Sequence, residues 1–213
     1  MFNDKYGLTQ AVLEGRKIQT RRVLNPTMLF KRLKTYEGWS KDDISAWKRS
    51  CKTRLYEAQG AELQQMIDFA LLSSRYKIGE EIAVAQSYRR LGVDRDYNDK
   101  EILEIACSMG WKNKMYVKAN LMPHRIRITN LRIERLQEIS DEDCIAEGIR
   151  EQYFYSGEEE PEFEGYSYYA KNVLKPLFCT PREAYAALID KISGKGTWKR
   201  NPYVFVYEFE LIK

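Results

Sequence analysis

The apolar positions change period along the chain, and each change predicts an element. Leu8, Val12 and Leu13 recur at helical spacing, and Gly15 supplies the left-handed residue at which a short helix stops. Thr20 to Leu24 then predict a strand closed by Asn25-Pro26. Ser40 with Asp43 resembles a capping box ahead of a stripe through Ile44, Trp47, Cys51 and Leu55. After Gly60 a second stripe runs through Leu63, Met66, Ile67, Ala70 and Leu71, so the two predict a helical hairpin. Tyr76 to Glu80 reads as a turn and Glu81 to Tyr88 as a strand, while Arg89 to Asn113 is polar with a weak helical signal over 99–107.

Two further strands are expected, Met115 to Ala119 and Arg125 to Leu136. In the second, Ile126 and Ile128 share one face, and Leu131 and Ile133 share the other after a phase slip, which predicts a bulge at Thr129-Asn130. Ser140 and Asp143 form another capping signature, opening a short helix over 141–147 that Gly148 halts. The acidic stretch 151–165 contains Pro161 and no periodicity, and predicts a mobile loop. Thr180-Pro181 with Glu183 begins a helix carrying Tyr185, Leu188, Ile189 and Ile192, stopped at Gly194. Finally, Phe205, Tyr207, Phe209 and Leu211 alternate with Glu208 and Glu210, the pattern of a half-buried strand over 203–212. Strands separated by irregular helices, with no β-α-β period and no internal repeat, predict an α+β fold.

Composition narrows the chemistry. At 213 residues, 44% of them hydrophobic, the chain can build a core as one domain over 1–213. The start at Met1 to Asp4 lacks the pattern of a signal peptide, and no apolar run approaches the roughly 20 residues of a membrane span, so a soluble intracellular protein is expected. The four cysteines are scattered without a C-x-x-C pair and His124 is the single histidine, which disfavours a zinc ribbon and a Cys/His nucleophile. Neither G-x-G-x-x-G nor G-x-x-x-x-G-K-[ST] occurs, so no nucleotide cofactor is implied. The net charge of +4 is unevenly spread: residues 1–60 hold 13 Lys/Arg against 6 Asp/Glu, and residues 141–164 hold 1 against 10. A basic N-terminal part suits a polyanion, though the two regions can equally be solvated faces that offset each other.

With histidine nearly absent, acid and base roles fall to carboxylates, Lys, Tyr and Cys. In "GRKIQTRR" Lys17 has Arg16, Arg21 and Arg22 close in sequence, so its charged form is disfavoured. Thr20 lies within its reach if the segment turns, and faces the opposite side if it is straight strand. Glu147 ends a short helix, where the macrodipole makes a carboxylate unfavourable by up to about 1 kcal/mol. Such a glutamate needs compensation from a cation or a shifted pKa, unless it is simply exposed. Arg16 and Arg21 read as solvated neighbours, and Arg22 as an anion-binding group. Aromatic faces for base stacking are offered by Tyr88 and by Trp198, the latter in the basic loop "GKGTWKRNP".

Four segments in order resemble the ASCH domain of the PUA-like superfamily, in the version common in phage and prophage proteins. They are "AVLEGRKIQTRRVLNP" at 11–26, "YKIGEEIAVAQSY" at 76–88, "MPHRIRITNLRIERLQEISDEDCIAEGI" at 122–149 and "LIDKISGKGTWKRNPYVFVYEFELI" at 188–212, somewhat over a third of the chain. The resemblance implies a small β-barrel with flanking helices and a cleft lined by the basic loop. It further implies RNA or nucleoside binding, because such domains have been proposed as RNA-binding modules and some small bacterial members deacetylate N4-acetylcytidine. Carried over through G-x-K-x-x-T-x-R and the helix after the central strands, the catalytic set becomes Lys17, Thr20 and Glu147. The ligand-binding residues expected around it are Arg16, Arg21, Arg22, Tyr88, Arg125, Trp198 and Lys199. The chain is about twice as long as those enzymes, with a helical expansion at 39–75 and the acidic loop at 151–165. Three functions stay open: a nucleic-acid or nucleoside binder, an amidohydrolase on an N-acylated nucleoside, and a structural or interaction protein of a phage programme. The expected partner is nucleic acid, RNA above all, or a nucleoside. No cofactor, metal or membrane is expected, in the cytoplasm of a bacterial or phage-infected cell.

Overall fold

A computed structural model describes residues 2–24, 42, 59–92, 99–154, 160–168 and 177–212. Its centre is a four-stranded antiparallel sheet in the order β1-β6-β3-β2, formed by β1 (Gln19–Val23), β2 (Glu81–Ala83), β3 (Arg125–Arg135) and β6 (Tyr203–Ile212). The sheet curls into a half-barrel flanked by helices, so the fold is α+β.

β6 lies between β1 and β3 and is covered on both faces, which corrects the expectation of a half-buried terminal strand. Its odd positions Tyr203, Phe205, Tyr207 and Phe209 join Val12, Val84, Ile126 and Ile128 in one apolar cluster, to which α2 (Gly60–Leu72) adds Met66 and Ala70. Its even positions Val204 and Val206 pack into a second cluster with Ala184, Tyr185, Leu188 and Ile189 of α6 (Pro181–Ser193). Period-2 alternation breaks down in such a strand, because valine satisfies a buried position on either side.

The bulge is where the phase slip placed it: pairing between β3 and β6 shifts between Ile128 and Asn130. Its effect differs from the bare alternation. The extra residue restores the phase, so Leu131 and Ile133 pack against the same cluster as Ile126 and Ile128.

The helices α1 (Leu8–Leu13), α4 (Asp99–Cys107), α5 (Asp141–Ala146) and α6 stand where the spacing predicts them. Thr180 caps α6 by accepting from Glu183 N, and Ser140 caps α5 by accepting from Asp143 N. Of the helical hairpin, α2 is present, and the first helix falls at residues outside those described. Three expectations are overturned. Met115 to Ala119 is not a strand but 3-10 turns at Lys114–Tyr116 and Ala119–Leu121; Met115 and Tyr116 are exposed, so no pleated face is buried, and Asn113 caps the first turn. The strand expected over 81–88 ends at Ala83, because Gln86 N is taken by the Met122 sulfur and Tyr88 opens the short helix α3 (Tyr88–Leu91).

The described part of the acidic stretch is largely strand rather than loop. β4 (Arg150–Phe154) and β5 (Glu162–Ser167) pair antiparallel, with Tyr153 opposite Phe163 and their rings 5.7 Å apart edge to face. Cross-strand aromatic contacts of this kind hold a strand pair that its charges alone would not. Among the described residues no helix is long and apolar enough to cross a membrane.

Candidate active site

The chain from Gly15 to Ile18 is stitched between three elements. Gly15 adopts φ +72°, turning the chain after α1, and the amides of Arg16 and Lys17 both donate to Ala11 O. Ile18 N donates to Ala146 O at the end of α5, and Ile18 O accepts from Phe209 N of β6. Lys17 is thereby held inside the molecule, 2% exposed, with its stem against Gly148. A Cβ there would meet Leu8 and Lys17 at ordinary contact distance, 3.4 and 3.7 Å, so it is the backbone, at φ +106°, that calls for glycine.

Glu147 caps the C-terminus of α5 and is 4% exposed. Its compensation is Lys17. The ammonium donates to Glu147 Oε2 at 2.5 Å and to the Glu147 backbone carbonyl at 2.7 Å, neutralising the carboxylate and closing the helix end together. Burial pulls the pKa of Lys17 below the ordinary lysine value; Glu147 opposes the shift, and the nearby Arg22 and Arg21 add to it.

Arg21 is not the solvated neighbour expected, being 4% exposed. In β1 it shares a face with Gln19, turned toward α5 rather than outward. Its guanidinium donates to Glu134 at 2.7 and 2.9 Å, to Asp143 at 2.6 Å and to the second oxygen of Glu147 at 3.4 Å. Gln19 completes the group by donating to Asp143 at 2.8 Å, and Arg132 joins through Glu134 and Asp143. Each oxygen of Glu147 thus has a cation, Lys17 on one and Arg21 on the other. Glu134 and Arg132 contribute from β3, more than a hundred residues away in sequence, and carry no local signal by which the sequence reading could have found them.

Thr20 and Arg22 alternate onto the other face of β1. Thr20 is the register partner of Tyr207 and Arg22 of Phe205, so both lie on the face of the sheet that carries the first apolar cluster. Lys17, Thr20, Arg21, Arg22 and Glu147 all line one cleft of about 470 Å³. Its remaining wall is mixed: Phe2, Leu8 and Met115 with Leu188, Ile189 and Ile192 of α6 are apolar, whereas Asn3, Ser87 and Asn113 are polar, Lys112 and Lys114 cationic and Asp4 acidic. Lys112 and Asn113 were missed as site residues because they end a polar stretch without a motif, and Lys114 because it falls between that stretch and the strand expected from Met115. Lys114 is anchored in turn, donating to Asp4 at 2.7 Å and to Thr9 at 2.8 Å.

The rest of the expected set lies elsewhere. Tyr88 is buried in a small satellite core with Met122, and its hydroxyl accepts from Lys118 N, so no base can stack on it. Trp198, in α7 (Thr197–Arg200), packs edge-on to Tyr185 against the second cluster, with the Arg182 guanidinium over its ring, and neither it nor Lys199 lines the cleft. Arg125 is exposed at the first position of β3, and Arg16 pairs with Glu14; both are outside the cleft. Spacing along the chain is silent on which loops meet, so these residues were grouped by type where the fold separates them.

Two other candidates for chemistry are unsuited. The Cys144 thiol is fully buried and pushed up to about 12 by burial, which keeps it protonated and unreactive. Tyr185 lines the cleft, but burial first and Glu147 second hold its hydroxyl well above the ordinary tyrosine value, so it is no base. Among the described residues no group of three His, Cys, Asp or Glu could hold a metal ion. No family model, curated protein or solved structure matches the chain.

Proposed function

We propose that the protein is an amidohydrolase of the ASCH type, with a PUA-like fold, that removes an acyl group from the exocyclic nitrogen of a nucleoside such as N4-acetylcytidine. The observation that carries this reading is the buried Lys17–Glu147 pair on the wall of a cleft that Thr20 shares. A buried ion pair whose only purpose was stability would be a poor choice, because desolvation cancels most of its attraction. Set in a cleft and tuned by flanking arginines, it is a proton-transfer couple. The volume of about 470 Å³ also falls in the range of small-molecule sites.

In the resting pair the proton sits on Lys17. Transfer to Glu147 across 2.5 Å leaves a neutral amine and a carboxylic acid, and the lowered pKa of Lys17 makes that transfer less costly. The amine takes the hydroxyl proton of Thr20 as its oxygen bonds to the acyl carbon. The carbon–nitrogen bond breaks, and the departing nitrogen receives the proton of Glu147. Water then hydrolyses the Thr20 ester, releasing the carboxylic acid and restoring the hydroxyl. Arg22 and the cationic wall at Lys112 hold the sugar end of the nucleoside or a phosphate attached to it.

The test is release of cytidine from N4-acetylcytidine, followed by chromatography. Turnover is expected, with a fall of about 10²–10⁴-fold in Glu147→Gln, as for loss of a general acid–base group. If the unaltered protein binds N4-acylcytidines and releases cytidine from none of them, the cleft is a binding site and the hydrolase reading fails.

A further inference from the structure

Thr20 stands between two hollows. Besides the cleft, a second hollow of about 40 Å³ borders the first apolar cluster, and Phe2, Thr20 and Arg22 line both. The register explains why: Thr20 is directly opposite Tyr207 in the β1–β6 ladder, and Tyr207 is itself a wall of the smaller hollow. Its other walls are hydrocarbon and aromatic, among them Ile82, Val84, Ile126 and Phe209, whose ring stands 5.6 Å from that of Phe2. No carboxylate or lysine lines it.

The two spaces differ in chemistry as well as size. The cleft carries the proton couple and the cations, and suits a polar nucleoside. The small hollow offers an apolar ligand group a dry environment and offers a polar one no charged partner apart from Arg22. At about 40 Å³ the hollow exceeds the roughly 10–15 Å³ that a single water-sized group needs, so it has room for several. The methyl of an acetyl group would leave most of that space empty, and an unfilled apolar space forfeits the contacts its lining could make.

Resting on the hydrolase reading above, we propose that this hollow is the acyl subsite, and that the substrates are nucleosides N-acylated with a short saturated chain of about three to five carbons, in preference to acetyl. The nucleoside lies in the cleft, the amide carbonyl sits at Thr20, and the chain extends past Phe2 toward Ile82 and Phe209. The bond changes are those already given: the acyl carbon passes from nitrogen to the Thr20 oxygen and then to water, yielding the short-chain carboxylic acid and the free amine. Ile82 determines chain length, because it reaches the hollow from the edge strand β2 and is only partly buried, so its size can change without opening the core.

The experiment compares kcat/KM for cytidine release from N4-acetyl-, N4-butyryl- and N4-octanoylcytidine by the full-length protein. Butyryl is expected to exceed acetyl by about tenfold or more, since each methylene that fits an apolar pocket contributes roughly a four- to tenfold preference, and octanoyl to fall because it exceeds the space. Ile82→Phe should collapse the butyryl-to-acetyl ratio toward one, and Ile82→Ala should move the optimum to a longer chain. Turnover with no dependence on chain length would overturn the acyl subsite while leaving the hydrolase standing. Release from none of the three removes the hydrolase reading and the subsite with it. The chain-length profile of the unaltered protein decides the matter even if an Ile82 variant fails to fold.

Discussion

A buried charge is tolerated only where its partner is fixed, and Lys17 shows how narrowly that condition is met. Its ammonium has two acceptors, both on Glu147, and its surroundings otherwise include the cations Arg21 and Arg22. Removing one partner strands the other, so Lys17→Met is expected to cost about 3–5 kcal/mol of unfolding free energy. The double variant Lys17→Met with Glu147→Leu removes both charges and should recover a large part of that loss, read as a positive coupling in a urea-unfolding cycle. Two single losses that simply add would mean that the pair does not act as a unit. The helix-end position of Glu147 left three outcomes open in the sequence, a cation, a shifted pKa or simple exposure, because a glutamate there opposes the macrodipole; the fold takes the first, with Lys17. The sequence reading could not anticipate Arg21, since the same basic run holds solvated and buried arginines side by side. Strand alternation assigns them once β1 is known to start at Gln19, placing Arg21 inside and Arg22 out.

At the scale of the element, the bulge in β3 decides which side chains reach the core. Because side chains alternate with period two, the extra residue at Thr129 is what keeps Leu131 and Ile133 on the face of Ile126 and Ile128. Thr129 is itself exposed, so Thr129→Ala should alter stability by under about 0.5 kcal/mol. Deleting Thr129 is a different change. It reverses the faces of everything from Asn130 to Arg135, putting Arg132 and Glu134 toward the core and away from Arg21, and the chain should lose its cooperative unfolding transition by circular dichroism. A deletion variant with native stability would show that the bulge sets nothing. β3 was legible because its apolar residues record the slip. The β4–β5 pair was not, because its pattern of glutamates and aromatics reads as disorder until cross-strand neighbours are known.

For the molecule as a whole, the polar group behind the cleft joins β1, β3, α5 and, through Arg132 and Glu208, β6. Its stability should follow the protonation of Asp143. Burial acts to raise the pKa of this carboxyl, but hydrogen bonds from Arg21 and Gln19, with the charges of Arg21 and Arg132, outweigh it and hold the value below the ordinary 3.8. A carboxylate more acidic in the folded than the unfolded state stabilises the fold at pH above about 3.8 and loses that contribution as the pH falls through its depressed value. Unfolding free energy should therefore drop steeply below pH 4, and Asp143→Asn should be less stable at pH 7 with a shallower acid decline. Equal slopes for the two proteins would remove Asp143 from the account. By itself, the sequence determined the helices with capping residues and glycine stops, the long strands β3 and β6, and the unease of Glu147, because these are local matters of backbone geometry and period. Only the tertiary structure decided that Lys17 closes α5, that Arg21 is buried, that Trp198 and Tyr88 are packing residues, and that Thr20 divides two hollows. Those facts depend on which distant surfaces meet, and burial acquires its cost only once they have met.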